Sequence, residues 1–137
     1  MTDRRIDAFF YGLFMDVAIL RDKQVAPANP RPAFVEGFEL RIGPRATLLP
    51  HVGARAYGML FALKHSELER LYIGPDLELY RAEAVLAQTL QGEVIPALCY
   101  NLPEAPSPDE RNPEYAARLK GVLRKLNFPE AYVESLV

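Results

Sequence analysis

The turn that follows the first apolar segment is the part of the sequence best suited to bind a small anion. The segment Ile6–Tyr11 is followed at once by Gly12, and a glycine lets a ligand come close to the main chain. Successive backbone N–H groups in such a turn can hold a carboxylate. Asp16 is placed to cap a short helix, whose N-terminus would add to the same field. An ordinary strand-to-helix turn with a glycine at its bend is the alternative interpretation.

Other polar residues stand at the ends of apolar segments, where they could contribute to a site. Tyr80 and Arg81 open an alternating segment, and an arginine can bind a carboxylate through two parallel hydrogen bonds. The alternative for Arg81 is a solvated side chain at the start of a strand. Tyr100 lies in an apolar segment, where it belongs either to a cleft or to the core. Three more arginines form either an anion-attracting rim or an ordinary exposed edge: Arg41, Arg45 and Arg55.

The cysteine and the histidines indicate no metal or redox chemistry. Cys99 lies among Ile, Ala and Leu, which predicts an inert core thiol. His51 and His65 are the only histidines, so a metal site of three histidines is impossible. The sequence has no phosphate-binding loop, no glycine-rich dinucleotide loop and no His-Glu-x-x-His motif. We therefore expect neither a metal nor a cofactor.

Length and composition define the class of protein. A chain of 137 residues is expected to form one domain over residues 1–137. Sixteen Lys and Arg against eighteen Asp and Glu supply no basic face for a nucleic acid. No apolar run reaches the roughly 18 residues of a membrane span, and the N-terminus does not resemble a signal peptide. We expect a cytoplasmic protein with no nucleic-acid or membrane partner.

Short segments bounded by glycine and proline predict an α+β fold in which about six strands form a curled sheet or a small barrel. Residues 22–33 are predicted to form a loop that is stiffened by prolines, and Gly37 marks a possible β-bulge. Pro50 is predicted to end the third strand. The strands are expected at residues 6–11, 34–42, 46–49, 55–63, 80–88 and 94–102.

Helices are predicted between and after these strands. Ser66 with Glu69 three residues later is a capping-box pattern that opens an inner helix. A proline-rich connector covers about residues 102–112, and it is a candidate lid over a cleft. Asn112 is a candidate cap and Pro113 a first helical residue for a C-terminal helical segment over about 113–137.

Several short motifs follow one another in a fixed order between residues 6 and 102. They are Phe10–Phe14 (Phe-Tyr-Gly-Leu-Phe), Val35–Phe38 (Val-Glu-Gly-Phe), Ala56–Phe61 (Ala-Tyr-Gly-Met-Leu-Phe), Leu68-x-x-Leu71, Tyr80-Arg81 and Ala97–Tyr100. This order resembles that of the γ-glutamylcyclotransferase-like (AIG2-like) family. The resemblance implies a small mixed β-barrel with flanking helices and one cavity.

The resemblance also implies a reaction and a site. In the family, the α-amine of a γ-glutamyl group attacks its own γ-carbonyl, which yields 5-oxoproline and a free amine. Positioning supplies much of the rate of such an intramolecular step, and a carboxylate moves the protons. The ligand is a small molecule that bears an α-amino acid group, and no cofactor takes part. The substrate-binding residues implied here are Tyr11, Gly12, Leu13, Phe14, Tyr80 and Tyr100.

The sequence departs from the family pattern at two places. Leu13 stands where the family has Ser or Thr. The family's Leu-Asp-x-x-Glu-Gly segment begins here as Leu71-Tyr72, and Pro75 stands in the position of the Glu. The nearest carboxylates, Asp76 and Glu78, are displaced by one and three residues and are the candidate catalytic groups.

Two functions follow, and the sequence leaves both open. One is an enzyme that forms 5-oxoproline from a γ-glutamyl amide with Glu78 or Asp76 as acid and base. Glu78 shares a strand face with Tyr80, whereas Asp76 is also a natural turn residue. The other is a domain that binds an amino-acid-like ligand and has lost the catalytic Glu.

Overall fold

The computed structural model describes residues 4–74 and 77–137. Within these ranges the strands are β1 (Arg5–Phe10), β2 (Ala28–Ile42), β3 (Ala46–Lys64), β4 (Arg81–Thr89) and β5 (Val94–Asn101). The α-helices are α1 (Val17–Asp22), α2 (His65–Leu71), α3 (Pro113–Lys125) and α4 (Glu130–Ser135), and a 3-10 turn spans Leu13–Met15.

The strands form a closed barrel in the order β1-β3-β2-β4-β5. Neighbouring strands are antiparallel, except that β1 and β5 pair in parallel at Ala8 and Leu98. Strands β1 and β3 contribute Phe9, Phe61 and Leu60 to the largest fully buried side chains, and helices α1, α2 and α3 contribute buried leucines. The predicted α+β fold, a small mixed barrel with flanking helices, is confirmed.

The hairpin of β2 and β3 is longer than predicted, and two predicted boundaries are wrong. The loop expected over residues 22–33 ends early, because β2 begins at Ala28 and includes Pro30 and Pro32. Pro50 ends no strand: it pairs with Phe38, and β3 continues to Lys64. The pairing of β2 with β4 is confined to Ala33 and Phe34, so most of β2 has one open edge, where proline is tolerated.

The bulge predicted at Gly37 is confirmed. The register of β2 against β3 shifts between Glu36 and Phe38, and Gly37 has a φ of 82°. That left-handed conformation favours glycine over residues with a side chain. One continuous β3 replaces two predicted strands, which accounts for five strands in the described residues.

Two of the helices begin at the predicted caps. The Asp16 carboxylate accepts a hydrogen bond from the N–H of Ala18 at 3.0 Å, and the Asn112 side-chain oxygen accepts one from the N–H of Tyr115 at 3.2 Å. Such caps satisfy N–H groups that have no partner within the helix. Among the residues described, no helix is both long and apolar enough to cross a lipid bilayer.

The cap predicted for the inner helix is wrong. Helix α2 begins at His65, immediately after β3, so Ser66 already lies inside it. Glu67 does the capping: its carboxylate accepts hydrogen bonds from the backbone N–H groups of Lys64 and Ala26, both at 2.8 Å. Because the strand runs directly into the helix, the capping carboxylate comes from inside the first turn.

The proline-rich connector packs against the turn between β2 and β3. An added Cβ at Gly43 would come within 2.6 Å of the Cβ of Pro106. The Arg41 guanidinium donates to the carbonyl of Ser107 at 3.3 Å, and the Asn112 amide donates to the carbonyl of Pro44 at 3.4 Å. The connector therefore braces this turn from outside the barrel.

Gly58 lies where β3 crosses β1 most closely, and its replacement by alanine should destabilise the barrel. The added Cβ would lie 2.2 Å from the Phe10 carbonyl oxygen and 2.7 Å from the Phe9 ring. We expect Gly58→Ala to lower the free energy of unfolding by about 3 kcal/mol, measured by urea denaturation.

Gly121→Ala is the matched control for this prediction. Gly121 lies within α3, and an added Cβ there meets nothing within 4 Å. Alanine forms helix better than glycine, so this variant should gain about 1 kcal/mol. A Gly58→Ala protein as stable as the wild type would contradict the close approach of β1 and β3.

Candidate functional site

A cavity of about 330 Å³ opens beside the turn that follows β1. Three stretches of chain build its walls: the end of β1 with the 3-10 turn, the turn between β2 and β3, and the segment after α2. Strand β5 and helix α3 add one tyrosine each. The described residues that line this tyrosine-lined cavity are Phe9, Phe10, Tyr11, Gly12, Leu13, Phe14, Lys23, Pro44, Arg45, Ala46, Tyr72, Leu77, Tyr80, Tyr100 and Tyr115.

The turn after β1 is held in place by helix α3. The N–H of Leu13 donates to the hydroxyl of Tyr115 at 3.4 Å. An added Cβ at position 12 would lie 2.5 Å from that same hydroxyl, so a larger residue there would displace the Tyr115 side chain. Tyr115 therefore lies directly over the backbone of Gly12 and Leu13, where the sequence predicts a carboxylate to bind.

Two tyrosine hydroxyls fix the walls to one another. The Tyr11 hydroxyl donates to the carbonyl of Tyr100 at 2.7 Å and lies 3.4 Å from the carbonyl of Ala46. The Tyr80 hydroxyl donates to the same Ala46 carbonyl at 2.5 Å. These bonds connect β1, β5, the β2–β3 turn and the segment after α2, so the cavity walls form one hydrogen-bonded unit.

Aromatic rings form most of the cavity surface. Tyr72 stacks on Tyr100 with 3.9 Å between ring centroids and 13° between planes. Phe14 meets Tyr72 edge to face at 5.8 Å, and Tyr80 lies at the same distance from Tyr72. Such arrangements stabilise aromatic pairs beyond the area that they bury.

The charged side chains that line the cavity are positive, although the Glu69 carboxylate acts on Tyr100 from outside the lining. Lys23 and Arg45 line it, and no described lining residue is an aspartate or a glutamate. The Lys23 ammonium lies 5.8 Å from the centre of the Phe14 ring. The cavity is therefore suited to a ligand that carries a carboxylate.

Burial keeps the proton on four tyrosines of the cavity at physiological pH. Burial is the main cause that raises the pKa of Tyr11 and of Tyr72 well above the usual tyrosine value, with smaller contributions from Cys99 and neighbouring tyrosines. Burial also raises the pKa of Tyr100 and of Tyr115. A neutral phenol donates a hydrogen bond but does not accept a proton from an ammonium group, so these four residues are not suited to act as a base.

All six residues predicted to bind substrate lie on the cavity wall. They are Tyr11, Gly12, Leu13, Phe14, Tyr80 and Tyr100. The structure places them together, and their contact with a substrate stays a prediction.

Of the two predicted catalytic carboxylates, only Glu78 belongs to the residues that the structure describes. Glu78 is exposed and is not a lining residue, although Leu77 and Tyr80 on either side of it are. Its backbone carbonyl accepts a hydrogen bond from Arg81 at 2.7 Å. Asp76 lies outside the described residues. A catalytic role for either residue stays a prediction.

Sequence reasoning missed several lining residues. The sequence marks Tyr72 only as a departure from the family motif and gives Tyr115 no role in a site, and only the fold brings these two residues to the cavity. Of the three arginines near the second and third strands, Arg45 lines the cavity, whereas Arg41 binds the connector. Arg55 instead pairs with Glu36 and stacks on a ring of β2.

Cys99 and the two histidines do not line the cavity. Cys99 is fully buried, and burial raises the pKa of its thiol to about 12. His51 and His65 are exposed, and each lies 3.2 Å from a glutamate, Glu39 and Glu69 respectively. Among residues 4–74 and 77–137, no three His, Cys, Asp or Glu side chains stand close enough together to hold a metal ion.

Comparisons with known proteins found one matching family model. The model of the family described as gamma-glutamyl cyclotransferase, AIG2-like, matches residues 8–118. No curated protein matches the sequence.

Solved structures share the architecture at low sequence identity. One titled gamma-glutamyl cyclotransferase is 17% identical with a TM-score of 0.81, and the match covers 97% of this chain and 88% of that one. The uncharacterized protein loc79017 from Homo sapiens is 18% identical with a TM-score of 0.80, covering 98% and 89%. The Arabidopsis thaliana protein At5g39720.1 is 16% identical with a TM-score of 0.68, covering 92% and 95%.

Removing the Tyr11 hydroxyl should loosen the cavity walls. In Tyr11→Phe the buried carbonyl of Tyr100 loses its donor, and we expect the free energy of unfolding to fall by about 2 kcal/mol. Tyr72→Phe is the control, because no described residue forms a hydrogen bond with the Tyr72 hydroxyl, and it should change stability by less than about 0.5 kcal/mol. Equal urea midpoints for the two variants would contradict a structural role for the Tyr11 hydroxyl.

Cys99 should resist thiol reagents in the folded protein. At pH 8 a thiol with a pKa of about 12 has a thiolate population roughly a thousand-fold below that of a free cysteine. The reaction with dithionitrobenzoate, followed by absorbance, is therefore expected to be at least about a thousand-fold slower in buffer than in urea. Similar rates in the two solutions would show that Cys99 is accessible and ionised.

Proposed function

The chain belongs to the gamma-glutamyl cyclotransferase, AIG2-like family, and on that premise we propose that the tyrosine-lined cavity binds a small γ-glutamyl amide. The observation that carries this proposal is the distribution of charge. Lys23 and Arg45 line the cavity, and its described lining residues include no acid. A γ-glutamyl amide has a free α-carboxylate, and the exposed Lys23 ammonium and the half-buried Arg45 guanidinium are cations that would attract it.

The backbone of the turn after β1 supplies the second contact. Gly12 and Leu13 lie on the cavity wall beneath the Tyr115 hydroxyl. When a ligand carboxylate binds, the Leu13 N–H can donate to it instead of to the Tyr115 hydroxyl, and that hydroxyl can rotate to donate its own proton to the carboxylate. In this proposal the carboxylate lies between the turn and the cations, and the amide side of the ligand extends toward Tyr72 and Tyr100.

Release of 5-oxoproline is the reaction that this binding mode serves. A bond forms between the α-nitrogen and the γ-carbon, and the bond from the γ-carbon to the leaving amine breaks. The α-ammonium must lose a proton, and the leaving nitrogen must gain one. Neutral phenols do not remove the first proton, so a carboxylate is required. Glu78 is the candidate, because its neighbours Leu77 and Tyr80 line the cavity, and Asp76 is the other.

Binding without turnover is the second candidate function. It is favoured by the exposed side chain of Glu78 and by Pro75 in the position of the family's glutamate. A cavity that keeps the cations and lacks the base would hold a γ-glutamyl compound intact.

Incubation with a panel of γ-glutamyl amino acids and amines, followed by mass spectrometry of 5-oxoproline, separates these functions. We expect product from the wild type, and a loss of about a hundred-fold or more in Glu78→Gln if Glu78 moves the protons. Asp76→Asn is assayed in parallel. Glu104→Gln, an exposed carboxylate of the connector, is the matched control.

Calorimetry on the same compounds completes the test. Binding without product in any sample would establish the second function. Product that survives in both Glu78→Gln and Asp76→Asn would keep the enzyme and exclude these residues as its base. Neither binding nor product across the panel would refute the proposal that the cavity takes γ-glutamyl compounds.

A further inference from the structure

The cavity is far more aromatic than the recognition of an amino-acid headgroup requires. Eight of its fifteen described lining residues carry an aromatic ring: Phe9, Phe10, Tyr11, Phe14, Tyr72, Tyr80, Tyr100 and Tyr115. In the binding mode proposed above, charges and hydrogen bonds hold the α-carboxylate. The rings can therefore contact a different part of the ligand.

Several of these rings are only half-buried, although they stand in the wall of a cavity. Tyr72 and Tyr100, stacked in parallel, are both of this kind, as are Phe14 and Tyr80. Phe14 and Tyr80 flank the stacked pair at 5.8 Å from Tyr72. Ring surface is thus left accessible at the typical spacing of aromatic contacts, which is 4.5–7 Å between centroids.

Two groups of ligand suit an aromatic wall, namely organic cations and flat uncharged rings. The charges of the site decide between them. Lys23 already places its ammonium 5.8 Å from the Phe14 ring, and Arg45 adds a second positive group. A cationic ligand would meet the like charge of Lys23 beside the Phe14 ring, whereas an uncharged ring would not.

The hydroxyls of the stacked pair, Tyr72 and Tyr100, are consistent with an uncharged ring as the ligand group at this wall. Tyr11 and Tyr80 direct their hydroxyls to backbone carbonyls. Within the described ranges, the hydroxyls of Tyr72 and Tyr100 form no hydrogen bond with the protein, and burial raises the pKa of both groups, so both are neutral. The wall therefore offers neutral faces to one part of a ligand while the cations hold another.

We propose that the preferred ligands are γ-glutamyl amides of flat aromatic amines, with the aryl ring against Tyr72 and Tyr100 and the α-carboxylate near Lys23 and Arg45. This inference rests on the proposed function, since it names the substrate class of the same cavity. A volume of about 330 Å³ lies at the lower end of the range for small-molecule sites, which suits a ligand with a single ring.

Titration calorimetry with three probes tests the inference: γ-glutamyl anilide, γ-glutamyl cyclohexylamide and γ-glutamyl methylamide. The first two have rings of equal carbon number and differ in planarity and aromaticity, and the third carries the headgroup alone. We expect the anilide to bind about two- to ten-fold more tightly than the cyclohexylamide. Where the protein releases 5-oxoproline, the ratio of kcat/KM for the same pair replaces the ratio of Kd.

Substitutions test which residues cause the preference for the anilide. Tyr72→Leu and, as a second variant, Tyr100→Leu should abolish the preference for the anilide, and Tyr72→Phe should retain it because the ring remains. Tyr57→Leu is the matched control, because Tyr57 packs against Phe128 and Tyr132 and does not line the cavity. Circular dichroism confirms that each variant is folded before it is titrated.

The outcomes separate this inference from the proposed function. A preference for the anilide that is lost in the leucine variants and kept in Tyr72→Phe and Tyr57→Leu supports it. Equal affinity for anilide and cyclohexylamide, or a preference that survives both leucine variants, overturns it while the proposed function stands. Failure of all three probes to bind overturns both.

Discussion

Closure of the barrel between β1 and β5 is the constraint on which the site depends. The parallel pairing there is short and joins Ala8 to Leu98. Beyond it the Tyr11 hydroxyl donates to the Tyr100 carbonyl at 2.7 Å, so a side chain continues the contact where the backbone ladder stops. Because Tyr11 is also the last residue before the Gly12 turn, the bond that closes the barrel fixes the start of the cavity wall.

The long β2–β3 hairpin is fastened to this seam by side chains as well. The N–H of Leu48 donates to the buried side chain of Asn101 at 3.2 Å, and the N–H of Leu102 donates to the hydroxyl of Thr47 at 2.9 Å. These bonds hold the start of β3 against the end of β5. The turn before it, which carries Arg45, is thereby placed beside the cavity. The proline-rich connector contacts this turn from outside, and none of its residues lines the cavity.

The sequence predicted correctly those features, helix caps and a β-bulge, that depend on a few neighbouring residues. The caps at Asp16 and Asn112 and the bulge at Gly37 depend on neighbouring residues, and all three are confirmed. Strand lengths were misjudged at Pro30, Pro32 and Pro50, because proline is excluded from a strand only where its missing N–H faces a partner strand. Tyr115 is about a hundred residues from the turn that it contacts, and nothing in helical spacing marks it as a cavity residue. The order of motifs, by contrast, located the six predicted lining residues.

Tyr72 shows how one position changes the chemistry available to this cavity. The family pattern has an aspartate there, and a carboxylate beside Tyr100 would be held in a poorly solvated place that favours its proton. The phenol of Tyr72 instead keeps its proton far beyond neutral pH and stacks on the neighbouring ring. Tyr72 is thereby excluded as the group that removes a proton from a ligand in this cavity. In the function proposed above, Tyr72 contributes a ring face to the cavity wall, and the carboxylate that moves the protons would have to come from another residue.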